Sequence, residues 1–391
     1  MRGALGVVLA LVASGCGFSA AGAPGDGKLP IDAPGGGDGA PDGVPDAPPD
    51  AVPCYGTLAS YCLATVPPAT TTFGASKAIN TNAASADCSP AFANACVIAA
   101  QVIVVNAGVV LTASGTRPLV LVAEDALTVS GTLDVSSRRG ATTGAAANGS
   151  CGTPSAPQTG DGTTGPQHTA GGGGAGGSFS NNGGDGGNGA GGKSGGNAAA
   201  APTFGFRGGC RGETGAISGP GGTMNAGAGG DSGGVVYLIA GSTLSIGGAV
   251  YASGAGGGNG RTVGGGAGGA GSGGLVALEA MTIQVTGMIG ANGGGGGGAA
   301  GITEGLAGAD GANSTNTGTI TWNTRAPGGG GSDGQTGDGG RGTDRATATG
   351  EAGTNASSGG GGGGGGGSPG VIWYKGALSG AMLAPIPTLG S

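Results

Sequence analysis

The sequence predicts an all-β fold: a short right-handed parallel β-helix, or solenoid, interrupted by glycine-rich inserts, with a β-sandwich as the alternative. Three observations predict it. Four short apolar runs each follow a Gly or Pro: "PLVLVA" (118–123), "GVVYLIA" (234–240), "GLVALEA" (274–280) and "GVIWYKG" (370–376). They have the length and the β-branched content of strands. The first three continue alike, as "LTVSGTLDVSS" (127–137), "LSIGGAVYASG" (244–254) and "IQVTGMIGANG" (283–293), with Gly131, Gly248 and Gly287 at matching points. A unit of about 20 residues built this way cannot bury its own apolar face and must stack on copies of itself. Finally, no Asn-Gly pair of a two-residue hairpin separates successive strands within a unit, which disfavours a sandwich.

Composition points the same way. Gly supplies 105 of 391 residues, aromatics 3% and charged residues 9%. So few aromatics cannot fill an ordinary globular core, yet the recurring apolar runs exclude a charge-rich disordered chain. The net charge of −7 lacks the basic footprint of a nucleic-acid binder.

The elements follow in order. "MRGALGVVLALVAS" carries Arg2, an apolar run and then small residues, which reads as a signal peptide over 1–15. "ASGC" resembles the lipobox of bacterial lipoproteins, and that resemblance implies lipidation of Cys16 and anchoring in the bacterial envelope, at the outer membrane or cell surface. Residues 16–53 hold Asp26, Asp32, Asp38, Asp42, Asp46 and Asp50 among many prolines. Such a stretch forms no core and reads as a tether with a reach of about 110 Å at about 3.1 Å per residue. A cysteine-containing cap is expected over 54–97 and the solenoid over 98–391, with a half-copy at 101–115 and inserts at 138–233, 255–273 and 294–369.

With Cys16 set aside, six cysteines remain, an even set suited to an oxidising compartment. Cys54/Cys62 and Cys88/Cys96 share one spacing. Pairing each locally leaves Cys151 with Cys210, the simplest of 15 connectivities.

"GDSGG" (230–234) resembles the nucleophile loop of chymotrypsin-like serine proteases. Ser232 is better read as a turn, because Ser272 and Ser368 stand at the same point of later units whereas Asp231 does not recur. The single histidine, His168, lies in a glycine tract with nothing to orient it as a base. No catalytic residues are assigned. No cofactor or metal is expected either: "GGDGGNGAGG" (183–192) only partly matches a calcium β-roll repeat.

Alternation places Val120/Val122, Val236/Leu238, Val276/Leu278 and Ile372/Tyr374 inside. The opposite parity carries Tyr237 and Trp373, which with Tyr251 are candidate ligand contacts for sugars or a partner. In the inserts, glycines fall at every third position: Gly162, Gly165, Gly171, Gly174, Gly177, Gly183, Gly186, Gly189, Gly192 and Gly195, then Gly328, Gly331, Gly334, Gly337 and Gly340. That is the period of an extended polyproline II-type helix. A polyglycine II-like bundle and a disordered loop both remain open.

Taken whole, "RPLVLVAEDALTVSGTLDVSS" with its "GGGGAGGSF" tracts resembles a group of Gly-rich bacterial surface lipoproteins. The tracts also look like those of PGRS-type surface proteins, and the repeats are similar to parallel β-helix adhesins and polysaccharide lyases. The lipoprotein group is uncharacterised; the anchor, the tether, the repeat and the lack of a catalytic constellation in the sequence point to a non-catalytic, lipid-anchored surface protein, adhesive or structural in envelope or matrix. Its expected partners are the membrane, extracellular polysaccharide or a neighbouring surface protein, and no nucleic acid. A carbohydrate-active protein and an ice-binding module are the alternatives.

Overall fold

In the computed structural model of the chain, the described residues are 52–64, 67–160, 169–218, 226–261, 263–301, 308–309, 311–314, 324–380 and 383–390. They all belong to the second of two units, Met1–Ala51 and Val52–Ser391. Cys16, the signal peptide, the tether as far as Ala51, and His168 lie outside them.

A disulfide-closed hairpin comes first, β1 (Cys54–Tyr55) antiparallel to β2 (Tyr61–Cys62). The chain then climbs through two sheets in repeated passes. They begin with β3 (Thr70–Phe73) and β4 (Lys77–Asn80), β5 (Cys96–Val105) and β6 (Val110–Ser114), and β7 (Leu119–Val129) and β8 (Thr132–Asp134). The next pass is β9 (Val235–Ala240), β10 (Thr243–Ile246) and β11 (Ala249–Tyr251), followed by β12 (Leu275–Val285) and β13 (Met288–Gly290). Last come β14 (Val371–Gly380), β15 (Leu383–Ala384) and β16 (Thr388–Leu389). The eight-stranded sheet runs β16-β14-β12-β10-β7-β5-β3, with β9 between β12 and β7, and the six-stranded sheet runs β15-β13-β11-β8-β6-β4. Neighbours in both are parallel.

This corrects the expected fold class. The structure is not a closed right-handed β-helix, nor is it a β-sandwich. It contains two parallel sheets and one small antiparallel sheet, with no helix among the described residues. A β-helix closes each turn through strands. Here the returns from β8 to β9, β11 to β12 and β13 to β14 run through glycine chain in which no strand is formed among the described residues. Glycine offers no side chain to a pleated, half-buried surface, so these returns bond in another geometry. A sandwich would need antiparallel sheets. Strands β3 and β4, within the span expected as a cysteine-containing cap, pair with β5 and β6.

Register also differs in one place. Leu119 pairs with Val236 and Leu121 with Leu238, so in β7 it is Leu119 and Leu121 that enter the main core, while Val120 and Val122 face the other way. Pro118 occupies the site of Val235, not of the leading glycine, and a one-residue slip exchanges the faces of a strand. In the later passes Val236, Val276 and Ile372 stack as expected.

The glycine returns of all three inserts bond to one another. Gly171, Gly174 and Gly177 donate to Gly264, Ala267 and Ala270 at 2.8–2.9 Å. Gly173 and Gly176 donate to Gly187 and Gly184, which run the opposite way. Gly362, Gly365 and Ser368 donate back to Gly171, Gly174 and Gly177 at 2.9–3.0 Å. Each neighbour is therefore met at every third residue, matching the glycine period. A Cβ on Gly173 would sit 2.0 Å from the Gly363 carbonyl oxygen, and one on Gly362 would sit 1.9 Å from that of Gly187. Only glycine permits tracts this close.

Candidate functional site

The three sequence-predicted contact residues do not form an exposed strip. Tyr237, Tyr251 and Trp373 are 0%, 7% and 6% exposed. Tyr237 and Trp373 do meet, edge to face at 6.1 Å, on the outer side of the eight-stranded sheet. That side is roofed by the β1–β2 hairpin and by Phe92, Phe179 and Phe206. Tyr61 packs edge-on against Phe92 at 5.6 Å and against Tyr237 at 6.5 Å, and Phe206 lies 5.7 Å from Tyr237. The Tyr237 hydroxyl donates to Glu279 and accepts from the Thr57 and Leu58 amides at 3.1 and 3.3 Å. Thr57 also donates to Glu279 through its amide (2.9 Å) and its hydroxyl (3.0 Å), and Tyr55 donates to Glu124 at 3.1 Å. Burial pushes the Tyr61 phenol up to about 12, and burial followed by the Glu279 carboxylate raises Tyr237 further. Neutral phenols clasping a hairpin to a sheet hold structure together; they are not poised as bases.

Ser232 is a corner residue. Ser232, Ser272 and Ser368 are fully buried, and each hydroxyl accepts an amide from an adjoining tract: Asn148 at 2.7 Å, Cys210 at 2.7 Å and Phe179 at 2.8 Å. Three disulfides form, Cys54–Cys62, Cys88–Cys96 and Cys151–Cys210. The last ties the start of the first glycine insert to its later half. Arg207 lies over the Phe179 ring at 5.5 Å beside this disulfide, and burial draws its guanidinium below the usual value.

The partial calcium repeat is used differently. Asn182, Asp185 and Asn188 each accept an amide, from Ala201 (3.1 Å), Ala198 (2.7 Å) and Gly195 (2.9 Å). These side chains sit three apart and cap the outward N–H groups of the neighbouring tract. Among the described residues no cluster of three or more His, Cys, Asp or Glu could hold a metal.

One concavity among the described residues was missed by sequence reasoning. It is a trough of about 610 Å³ along the corner between the two large sheets. Its floor repeats from pass to pass. Ser130 and Gly131 both donate to the Val105 carbonyl, Gly247 and Gly248 to Val129, and Thr286 and Gly287 to Ile246. The corner glycines stack so tightly that a Cβ on Gly248 would lie 1.8 Å from the Gly131 oxygen, and one on Gly287 1.9 Å from the Gly248 oxygen. The absence of side chains there leaves the trough open. Above the floor stand Thr132, Asp134, Arg138, Tyr251 and Met288. Asp134, 4% exposed, pairs with Arg138 at 2.5 Å and accepts the Ser136 amide at 2.9 Å. Tyr251 occupies the same register position as Asp134 one pass on, with Gly290 next, where a Cβ would come within 3.1 Å of the Tyr251 ring. The signal for this site was the change from Asp to Tyr to Gly at one repeat position, which needs the register to be seen.

A smaller recess of about 380 Å³ is mainly apolar, lined by Phe179, Phe204, Val371, Trp373 and Leu389 with Ser180, Pro202 and Thr388. No family model matches the chain, and no curated protein or solved structure was found similar to it.

Proposed function

We propose that the chain is a non-catalytic protein of a bacterial cell surface, anchored through lipid on Cys16 and serving adhesion or envelope and matrix structure. The observation that supports this reading most is the glycine bundle. A large share of the chain goes into tracts joined backbone to backbone, whose buried positions are mostly glycine with a few alanines. Such packing supplies rigidity and a fixed outline, which suit a scaffold. The three disulfides fit a compartment that favours oxidised thiols. The "ASGC" box and the Asp/Pro tether supply the means of holding the body off a membrane.

Radiolabelled palmitate fed to producing cells tests the anchor. The wild-type chain is expected to take up label and sediment with the envelope, while Cys16→Ser takes up none and leaves the membrane fraction. Equal labelling of both would overturn the anchor. Saturable retention of the fluorescently labelled protein by intact cells or their matrix is the expected adhesive result; no retention would leave only a passive envelope role.

A further inference from the structure

We propose that the trough at the sheet corner binds a neutral, hydroxyl-rich polysaccharide chain, an inference that rests on the adhesive reading above for the source of its ligand. Shape comes first. The trough crosses four passes, so at about 4.8 Å per strand it runs for about 14 Å along the stack and is open to solvent. An open channel of that form suits a segment of polymer better than an enclosed small molecule.

Charge comes next. Asp134 and Arg138 are the charged groups lining it, and they pair with each other. Their charges cancel, which leaves no surplus cation for an anionic chain. The Asp134 carboxylate, 4% exposed, is taken up by Arg138 and the Ser136 amide, and the Arg138 side chain, 33% exposed, supplies the guanidinium donors that can meet ring hydroxyls. Ser130, Thr132 and Thr286 line it with hydroxyls, each a donor and an acceptor, while Tyr251, 7% exposed, adds little surface.

The backbone argues against a peptide. The corner amides of Ser130, Gly131, Gly247, Gly248, Thr286 and Gly287 are all satisfied by the pass below. The floor therefore offers no row of free N–H groups for an added strand, and recognition falls to side chains.

The full-length protein in detergent is mixed with cellulose, curdlan, starch granules and chitin, with alginate beads as the anionic contrast. Two variants address the trough: Ser130→Trp places bulk at an exposed position of its floor, and Arg138→Gln removes the guanidinium. Thr388→Trp fills the apolar recess as a control. The expected result is saturable retention on at least one of the four neutral polysaccharides, weakened at least tenfold by both trough variants and unchanged by Thr388→Trp. Ser130→Trp alters an exposed position, so a matching melting temperature shows that its loss of binding is not a loss of fold.

Retention that survives both trough variants would overturn the proposal, as would retention on alginate alone or on none of the polysaccharides. Intact cells separate the two readings. Cells that retain the protein while no neutral polysaccharide does would sink the trough proposal and leave adhesion standing. Retention by neither would remove both.

Discussion

Leu238 in β9 and Gly362 in the glycine bundle are both buried, but their surroundings differ in kind. Leu238 packs among aliphatic side chains from successive passes, in a core where volume and alternation decide stability. Gly362 packs against the backbone itself, donating to Gly171 and sitting almost on the Gly187 carbonyl. One chain thus contains two ways of removing water from a polypeptide. The sheets bury side chains and tolerate aliphatic swaps of similar volume. The bundle buries peptide groups bonded to one another, and at its closest approaches, such as Gly173 and Gly362, has no room for an added atom. This is why a chain with 3% aromatic residues can still build a large folded body.

The two regions should respond differently to substitution, and the largest effect is expected at the disulfide that closes the first glycine insert. Replacing Cys151 and Cys210 together by Ser opens a loop of sequence separation 59. It should cost about 4 kcal/mol on the chain-entropy model, measured by denaturant unfolding. A loss below about 1 kcal/mol would mean that the bundle needs no clamp. Two changes to the same residue type come next. Leu238→Ala should cost about 3 kcal/mol through a cavity, and Gly362→Ala about 2 kcal/mol through overpacking, one by removing atoms and the other by adding one carbon. Gly330→Ala is the control, because a Cβ there meets nothing within 4 Å, and it should be near neutral. Equal tolerance at Gly362 and Gly330 would break the comparison.

Smaller effects sharpen it at the edges. Tyr237→Phe removes the hydroxyl shared by Glu279, Thr57 and Leu58 and should cost about 1 kcal/mol, since Glu279 can still accept from Thr57. The same variant should loosen the hairpin, seen as faster reduction of Cys54–Cys62. Smallest is Lys77→Met, which removes the 2.7 Å partner of Asp87. Lys77 and then the Asn80 amide hold the Asp87 carboxyl below its usual value. The stabilisation is therefore present above the unfolded value of about 4 and is lost as pH falls through the lower folded value. About 0.5 kcal/mol separates the variants at pH 7, shrinking to nothing near pH 2. A difference that grew on acidification would contradict that assignment.

Much of this was legible in the sequence, and the gaps have physical causes. The apolar runs, the matching Gly131, Gly248 and Gly287, and the three-residue glycine phase all depend on local spacing, which a single sequence displays. The two equal cysteine spacings are local too. Register in β7 was misread because Pro118 imitates the leading glycine of the other runs, and one residue exchanges the faces. The covering of Tyr237 and Trp373 was hidden because Tyr61, Phe92 and Phe206 arrive from distant segments. The trough was hidden for a related reason: Asp134, Tyr251 and Gly290 become one position only when the ladders are aligned. A closed β-helix was expected because strand repeats imply stacking, but stacking says nothing of how each pass returns.

Amide hydrogen exchange across residues 171–177 and 361–368, followed beside β9, tests the central claim most directly. If the tracts form a bonded bundle, their amides exchange slowly, within about tenfold of the protection of Val235–Ala240, because opening them requires sub-global unfolding. Exchange at the rate of a free glycine chain, with β9 still protected, would contradict the account and leave two sheets joined by open loops.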